Sequence, residues 1–163
     1  MTFLVVVMGV SGSGKSTLGA DLALAVGVPF VDADDLHPPA NVATMTAGTP
    51  LTDDDRWPWL RVVGLRLAAA ETTGLVVACS ALRRSYREAI LAEAPASRFV
   101  MLDVPEVILA ERMRARGGHF MPATLLASQL ATLEPLEADE PGITVGPELS
   151  ATEVAAALAA ELL

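Results

Sequence analysis

The chain predicts an α/β three-layer sandwich, a parallel sheet of about five strands with helices on both faces. Three features predict it. Short apolar runs recur along the 163 residues, segments with helical spacing separate them, and the first run breaks straight into a glycine-rich loop before a helix begins. Strands that alternate with helices point to a parallel sheet, because each parallel pair needs a crossover that a helix supplies.

The first run, FLVVVM over 3–8, is apolar throughout and reads as a central strand buried on both faces. Leu18, Leu22, Ala25 and Val26 then carry helical spacing over 15–26. VPFV over 28–31 is a short second strand ending at Asp32. Pro38 to Met45 reads as a short helix with proline in its first turn, where a missing N–H does no harm. Thr52 is placed to cap a long helix from 53 to about 72, with Asp53, Asp54 and Asp55 at its positive end. LVVAC over 75–79 is the third strand, followed by a helix over 83–93, a strand over 98–103, and helices over 105–116 and 122–133. A weak strand at 143–145 and a helix over 151–162 close the pattern, with Val154, Leu158 and Leu162 forming a face that docks on the sheet. The proline- and acid-rich LEPLEADEPG over 133–142 reads as the most mobile loop. No repeat or linker intervenes, so residues 1–163 are expected to form one domain.

Composition narrows the function. Apolar residues make up 52% of the chain and charged ones 19%, which excludes a disordered protein. A net charge of −9 argues against nucleic acid or an anionic membrane as partner. The single cysteine, Cys79, excludes an internal disulfide and suits a reducing compartment. The apolar start has no basic leader, and no later run approaches the roughly eighteen residues of a membrane span. The expectation is a cytoplasmic protein.

GVSGSGKS over 9–16 fits the phosphate-binding pattern G-x-x-x-x-G-K-[ST], and it lies where that pattern must lie, between a strand and a helix. Gly9, Val10, Ser11, Gly12, Ser13, Gly14, Lys15, Ser16 and Thr17 are the candidate nucleotide-binding residues. Glycines let backbone N–H groups turn inward around a β-phosphate, and the helix start adds its positive end. Lys15, the sole lysine of the chain, is placed to reach the β- and γ-phosphates, and the Ser16 hydroxyl to ligate Mg²⁺. A guanine-nucleotide switch would carry N-K-x-D, which is absent, and a motor would need more chain to couple with.

In an open parallel sheet ligands bind beyond the carboxyl ends of the strands. Asp32 and Asp34 stand at that edge, where one would hold Mg²⁺ directly or through water and the other would orient and deprotonate an incoming hydroxyl. The alternative is a polar turn that caps the next helix, and Asp35 fits it. His37 either contacts substrate or braces the turn. Arg56, beside Trp57 and Trp59, is an anion anchor or pairs internally with Asp53 or Asp55. Ser80, Arg83 and Arg87 follow the third strand and are candidates to line the substrate cleft. Cys79 reads as a small buried hydrophobe. Arg112 and Arg116 lie four apart ahead of Gly117-Gly118, either as a lid that closes positive charge over a transferring phosphoryl group or as a solvated basic helix end.

Together, MGVSGSGKST, DADDLHPPANVATMTAGTPLTDDDRWPWL, CSALRRSYR and RGGHFMPATLLASQLATLEPLEADE resemble the small gluconate kinases, relatives of shikimate and nucleoside monophosphate kinases. The resemblance runs from residue 3 to about 145 and implies a P-loop kinase fold with a helical lid at about 105–133. It implies ATP- and Mg²⁺-dependent phosphorylation of D-gluconate on its 6-hydroxyl, by a homodimer. It assigns the loop 9–16 to ATP and Asp32 to the metal side. Asp34, His37 and Arg56 go to gluconate, and Arg112 and Arg116 become lid arginines near ATP. Lys15, Asp34 and Arg116 would be the catalytic groups. Ala33 stands where the family often has glycine between the two aspartates. The tail after 145 is expected to touch adenine through residues that the sequence does not single out. Shikimate kinase, which shares D-x-D but would show a glycine-rich turn where this chain has CSAL, is the runner-up. A non-catalytic nucleotide switch is the rival from another class.

Overall fold

Leu4, Val5, Val6, Val7 and Met8 are all buried, and they form β1 (Leu4–Met8) at the centre of the sheet. The computed structural model describes residues 2–115 and 123–162. Among them β1, β2 (Phe30–Asp32), β3 (Leu75–Ala78), β4 (Arg98–Leu102) and β5 (Gly142–Val145) pair in parallel, in the order β2-β3-β1-β4-β5. The connecting helices are α1 (Lys15–Val26), α2 (Pro39–Thr46), α3 (Asp53–Ala69), α4 (Arg84–Glu93), α5 (Glu106–Ala115), α6 (Ala123–Thr132) and α7 (Ala151–Glu161).

The period of two along a strand divides the core. Leu4, Val6 and Met8 face one side with Phe99 and Met101, and there Trp59, Leu60, Val63 and Leu67 of α3 and Ile90 of α4 cover them. Val5 and Val7 face the other side with Val100 and Leu102, under Leu22 of α1, Leu109 of α5 and Val154 and Leu158 of α7. Each fully buried side chain of this size contributes on the order of 1.5–3 kcal/mol. Because both faces are covered, β1 has no polar alternation to show in the sequence. No helix of the described residues is long and apolar enough to cross a membrane.

The boundaries differ from expectation in informative places. β2 is only three residues and runs into a 3-10 turn over Ala33–Leu36, which begins where the Asp34 N–H donates to Asp32 Oδ1 at 3.0 Å. α3 stops at Ala69 rather than near 72, because the N–H groups of Thr73 and Gly74 turn back to the Ala70 carbonyl and swing the chain into β3. Its start is as expected: Thr52 caps the Asp55 N–H while Asp55 Oδ2 accepts from the Thr52 N–H. α7 lies chiefly along α1 and reaches the sheet through β5.

The acid-rich segment 133–142 is not the free loop that its composition suggests. Arg84 forks onto Asp139 at 2.9 and 2.7 Å, Arg87 onto Glu140, and the Glu134 N–H donates to the Leu82 carbonyl at 2.7 Å. Its charges are the partners of α4's arginines, a pairing across about fifty residues that charge pattern alone does not reveal.

Candidate active site

The loop between β1 and α1 is shaped by glycines where a side chain could not stand. Gly9 has a φ of 150°, and a Cβ there would lie 2.9 Å from Ser13 Oγ and 3.2 Å from the Leu102 carbonyl oxygen. Gly14 precedes α1 at a φ of 96° and offers no side-chain cap, so the first N–H groups of the helix stay open to an anion. Lys15 Nζ donates to the Val10 carbonyl at 3.2 Å, its one hydrogen bond among the described residues. Burial lowers the pKa of this ammonium, against the pull of Asp34 and Asp32, so its charge lacks a full counter-ion and suits an incoming polyphosphate. Arg112 of α5 donates through Nη1 to the carbonyls of Gly12 and Ser13, both at 3.1 Å. From α6, Gln129 accepts the Ser11 N–H at 2.7 Å.

A cavity of about 400 Å³ opens beside the loop, walled by Gly12, Gly14, Thr17, Arg112, Pro147 and Leu149. Its volume is of the order expected for a small-molecule site. Pro147 and Leu149, on the β5–α7 connection, bring the tail after 145 to the wall of this cavity.

On the other side of Lys15 the two aspartates separate in role. The Ser16 hydroxyl donates to Asp32 Oδ2 at 2.9 Å, so a hydroxyl and a carboxylate stand together at the start of α1. That pair of hard oxygen donors suits Mg²⁺, which keeps most of its shell for water and substrate phosphates. Asp34 makes no such bond among the described residues. Desolvation, and then the charge of Asp32, push its carboxyl above the ordinary range, although the residue stays exposed. His37 stacks on Trp59, with ring centroids 4.2 Å apart, and its Nδ1 accepts from Asn41 Nδ2 at 3.2 Å. Burial lowers its pKa, Asp34 opposing and Arg56 assisting, so the ring stands between a carboxyl and a guanidinium that pull its titration in opposite directions. Asn41 also donates to the Asp55 carbonyl at 2.9 Å, and the Trp59 indole to the Ala33 carbonyl at 2.7 Å, which ties α2 and α3 to the strand end.

Arg56 takes up the internal pairing that its helix position allows. It pairs with Asp53 at 3.4 Å, and it also lies over the Tyr86 ring, 5.6 Å from the centroid, with Arg83 on the same ring at 5.9 Å. Tyr86 donates to Asp53 Oδ1 at 2.6 Å, and Arg83 reaches Asp53 Oδ2 at 3.8 Å. Two half-exposed guanidinium groups therefore share one carboxylate and one ring. Exposed pairs of this kind contribute little to stability.

Ser80 follows β3 at the same edge, its carbonyl accepting the Gly9 N–H at 3.3 Å. Arg87 does not line the cleft. Its side chain is wholly buried and bidentate to Glu140, because position 87 falls on the inner face of α4 whereas 83 precedes the helix. Cys79 is buried, which pushes its thiol up to about 12 and removes it as a nucleophile. Arg116 and the glycine pair after it lie outside the described residues. Tyr86, Asn41 and Gln129 were missed, and only the position of Tyr86 in CSALRRSYR hinted at it.

A parallel sheet with a phosphate loop after its central strand, facing a carboxylate pair, defines a P-loop phosphotransferase. A family profile described as an AAA domain matches residues 4–136. The chain is 51% identical over 145 residues to a gluconokinase of Gluconobacter oxydans, covering 88% of this chain and 82% of that one. The crystal structure of a gluconokinase from Sinorhizobium meliloti superposes with a TM-score of 0.83 at 48% identity, over 98% of this chain and 91% of that one. An unliganded sugar kinase from Janibacter superposes at 0.85 with 45% identity, over 99% and 95%. The chain belongs to the gluconokinase family.

Proposed function

We propose that this protein transfers the γ-phosphoryl group of ATP to the 6-hydroxyl of D-gluconate, giving 6-phospho-D-gluconate and ADP. One observation supports it most: Lys15, Asp34, His37 and Arg56 are successive electrostatic neighbours, running from the phosphate loop to the arginine pair. An acceptor with a hydroxyl at one end and a carboxylate at the other fits that run.

In this reading the nucleotide's phosphates lie on the loop N–H groups, and its base enters the cavity beside Pro147 and Leu149. Ser16 and Asp32 would hold Mg²⁺, which supplies neutralisation of the phosphate oxygens when bound. The 6-hydroxyl oxygen attacks the γ-phosphorus as the bond to the bridging oxygen breaks, and Asp34 orients the hydroxyl and accepts its proton. Lys15 and Arg112 stabilise the charge that spreads over the transferring group. His37 and Ser80 hold acceptor hydroxyls, while Arg56 and Arg83 exchange Asp53 for the gluconate carboxylate.

The chain would work as one domain whose segment 105–133 closes over the nucleotide, a role supported by the contacts of Arg112 and Gln129 with the loop. The same reading makes it a cytoplasmic homodimer. ADP release by the purified protein with Mg-ATP decides the activity. Gluconate is expected to drive it, with shikimate, nucleoside monophosphates and no acceptor near background. Faster turnover of shikimate, or ADP release indifferent to acceptor, would sink it.

A further inference from the structure

Ala81 follows β3 with a φ of 43°, and among the described residues it is the one non-glycine in the left-handed region. An L-residue resists that conformation because its Cβ crowds a carbonyl oxygen, so the surroundings must hold it there. Three successive carbonyls of this turn are gripped. Ser80 accepts the Gly9 N–H at 3.3 Å, Ala81 accepts from Arg87 Nη1 at 3.0 Å, and Leu82 accepts the Glu134 N–H at 2.7 Å. Arg87 donates further to Glu140, at 2.6 Å from Nε and 2.9 Å from Nη2, and to the Pro135 carbonyl at 3.5 Å from Nη2, and the Arg87 and Glu140 side chains are out of water. Apolar residues of similar volume often replace such a pair without loss of stability. They could not hold the Ala81 carbonyl.

We propose that the Arg87–Glu140 pair is a positioning device for the acceptor side of the site. It fixes the left-handed turn at Ala81, and the turn sets where Ser80 and Arg83 stand and where the Ser80 carbonyl meets Gly9 of the phosphate loop. Relaxing Ala81 to an ordinary φ rotates the peptides on either side, so Ser80 and Arg83 lose their register, while the nucleotide cavity, walled by Gly12, Gly14, Thr17, Arg112 and Leu149, is reached only through the one contact at Gly9. The inference rests on the reading of Ser80 and Arg83 as gluconate-side residues.

Two variants test it. Arg87→Lys keeps a charge for Glu140, but one ammonium cannot replace a fork that also holds the Ala81 carbonyl. Arg87→Met with Glu140→Met removes the pair and fills the space. Both are expected to raise the gluconate KM about tenfold or more while the ATP KM stays within about twofold. Adding Ala81→Gly to either should recover most of the loss, because glycine takes a positive φ without the penalty. Amide exchange at Gly9 and Glu134, measured without substrate, should quicken in both variants and slow again with Ala81→Gly. If the double variant does not fold, Arg87→Lys carries both measurements. Unchanged exchange at Gly9 and Glu134, equal losses for ATP and gluconate, or a loss that Ala81→Gly leaves untouched overturns the proposal. A wild-type protein that ignores gluconate strikes the functional reading instead, and the exchange measurement still decides the clamp.

Discussion

The Ser16 hydroxyl donates to the Asp32 carboxylate at 2.9 Å and so joins the first turn of α1 to the end of β2. Each partner is a cation ligand by chemistry, and each orients the other. Ser16→Ala or Asp32→Asn should therefore shift the Mg²⁺ concentration for half-maximal activity upward by about tenfold or more, with the larger loss for Asp32→Asn, which removes charge as well as orientation. A Mg²⁺ titration at saturating ATP and gluconate checks it. An unchanged midpoint in both variants would remove this pair from the metal's surroundings.

Lys15→Ala should fold normally and lose most of its turnover. The side chain's one hydrogen bond among the described residues is to the Val10 carbonyl, so little stability depends on it. Its charge, partly desolvated and without a full counter-ion, is available for the phosphates. Thermal unfolding close to wild type with kcat down by far more than tenfold is the expected pair of results. A loss under tenfold, below about 1.4 kcal/mol, would contradict the assignment.

Much of this site was legible because the chemistry is local. GVSGSGKS specifies its own backbone, and Thr52 with Asp55 caps α3 from within four residues. What escaped was long-range. In sequence, Arg83, Arg84 and Arg87 are three similar charges, yet one leans on Asp53, one grips Asp139 and one is buried against Glu140. The partners lie over fifty residues away, and nothing in the composition of either segment distinguishes a paired charge from a solvated one. Tyr86 escaped for the same reason, since its role depends on Asp53 meeting it from another helix.

Asp34 carries an opposed pair of effects. Its carboxyl pKa lies above the unfolded value because of desolvation and Asp32, so the folded state binds the proton more tightly. The stability linked to this group is complete below the ordinary carboxylate range and is lost as pH rises through the raised folded pKa. At neutral pH its charge is a net cost to folding. Asp34→Asn should therefore raise Tm at pH 7 while lowering kcat by roughly 10²–10⁴, and the Tm gain should vanish below about pH 4. In the wild type, kcat/KM for gluconate should rise with pH through the folded pKa of Asp34, as the base form appears. A lower Tm for the variant at neutral pH, or a kcat that keeps pace with wild type, would count against this role.

Substrate choice depends on the sharing of Asp53. In the free protein Arg56 and Arg83 both lean on that carboxylate, and Tyr86 donates to it at 2.6 Å. Gluconate brings a carboxylate of its own at the end opposite to the reacting hydroxyl, so it can replace Asp53 and leave every guanidinium satisfied. Glucose brings none, and its binding would exclude water from the arginines while offering only hydroxyls. A site built around a polar partner can reject an analogue that lacks it by about 10⁴ or more, so a preference of at least roughly a thousandfold in kcat/KM is expected for gluconate over glucose. Arg56→Lys should erode that preference chiefly through the gluconate KM, because a point charge cannot reproduce the planar fork. Tyr86→Phe frees Asp53 from its hydroxyl donor and leaves it a stronger competitor for the two arginines, so this variant too should raise the gluconate KM and leave the ATP KM alone. Competition assays with gluconate and glucose across the three proteins measure all of these shifts. If glucose gains nothing relative to gluconate when Arg56 becomes lysine, the carboxylate is held elsewhere.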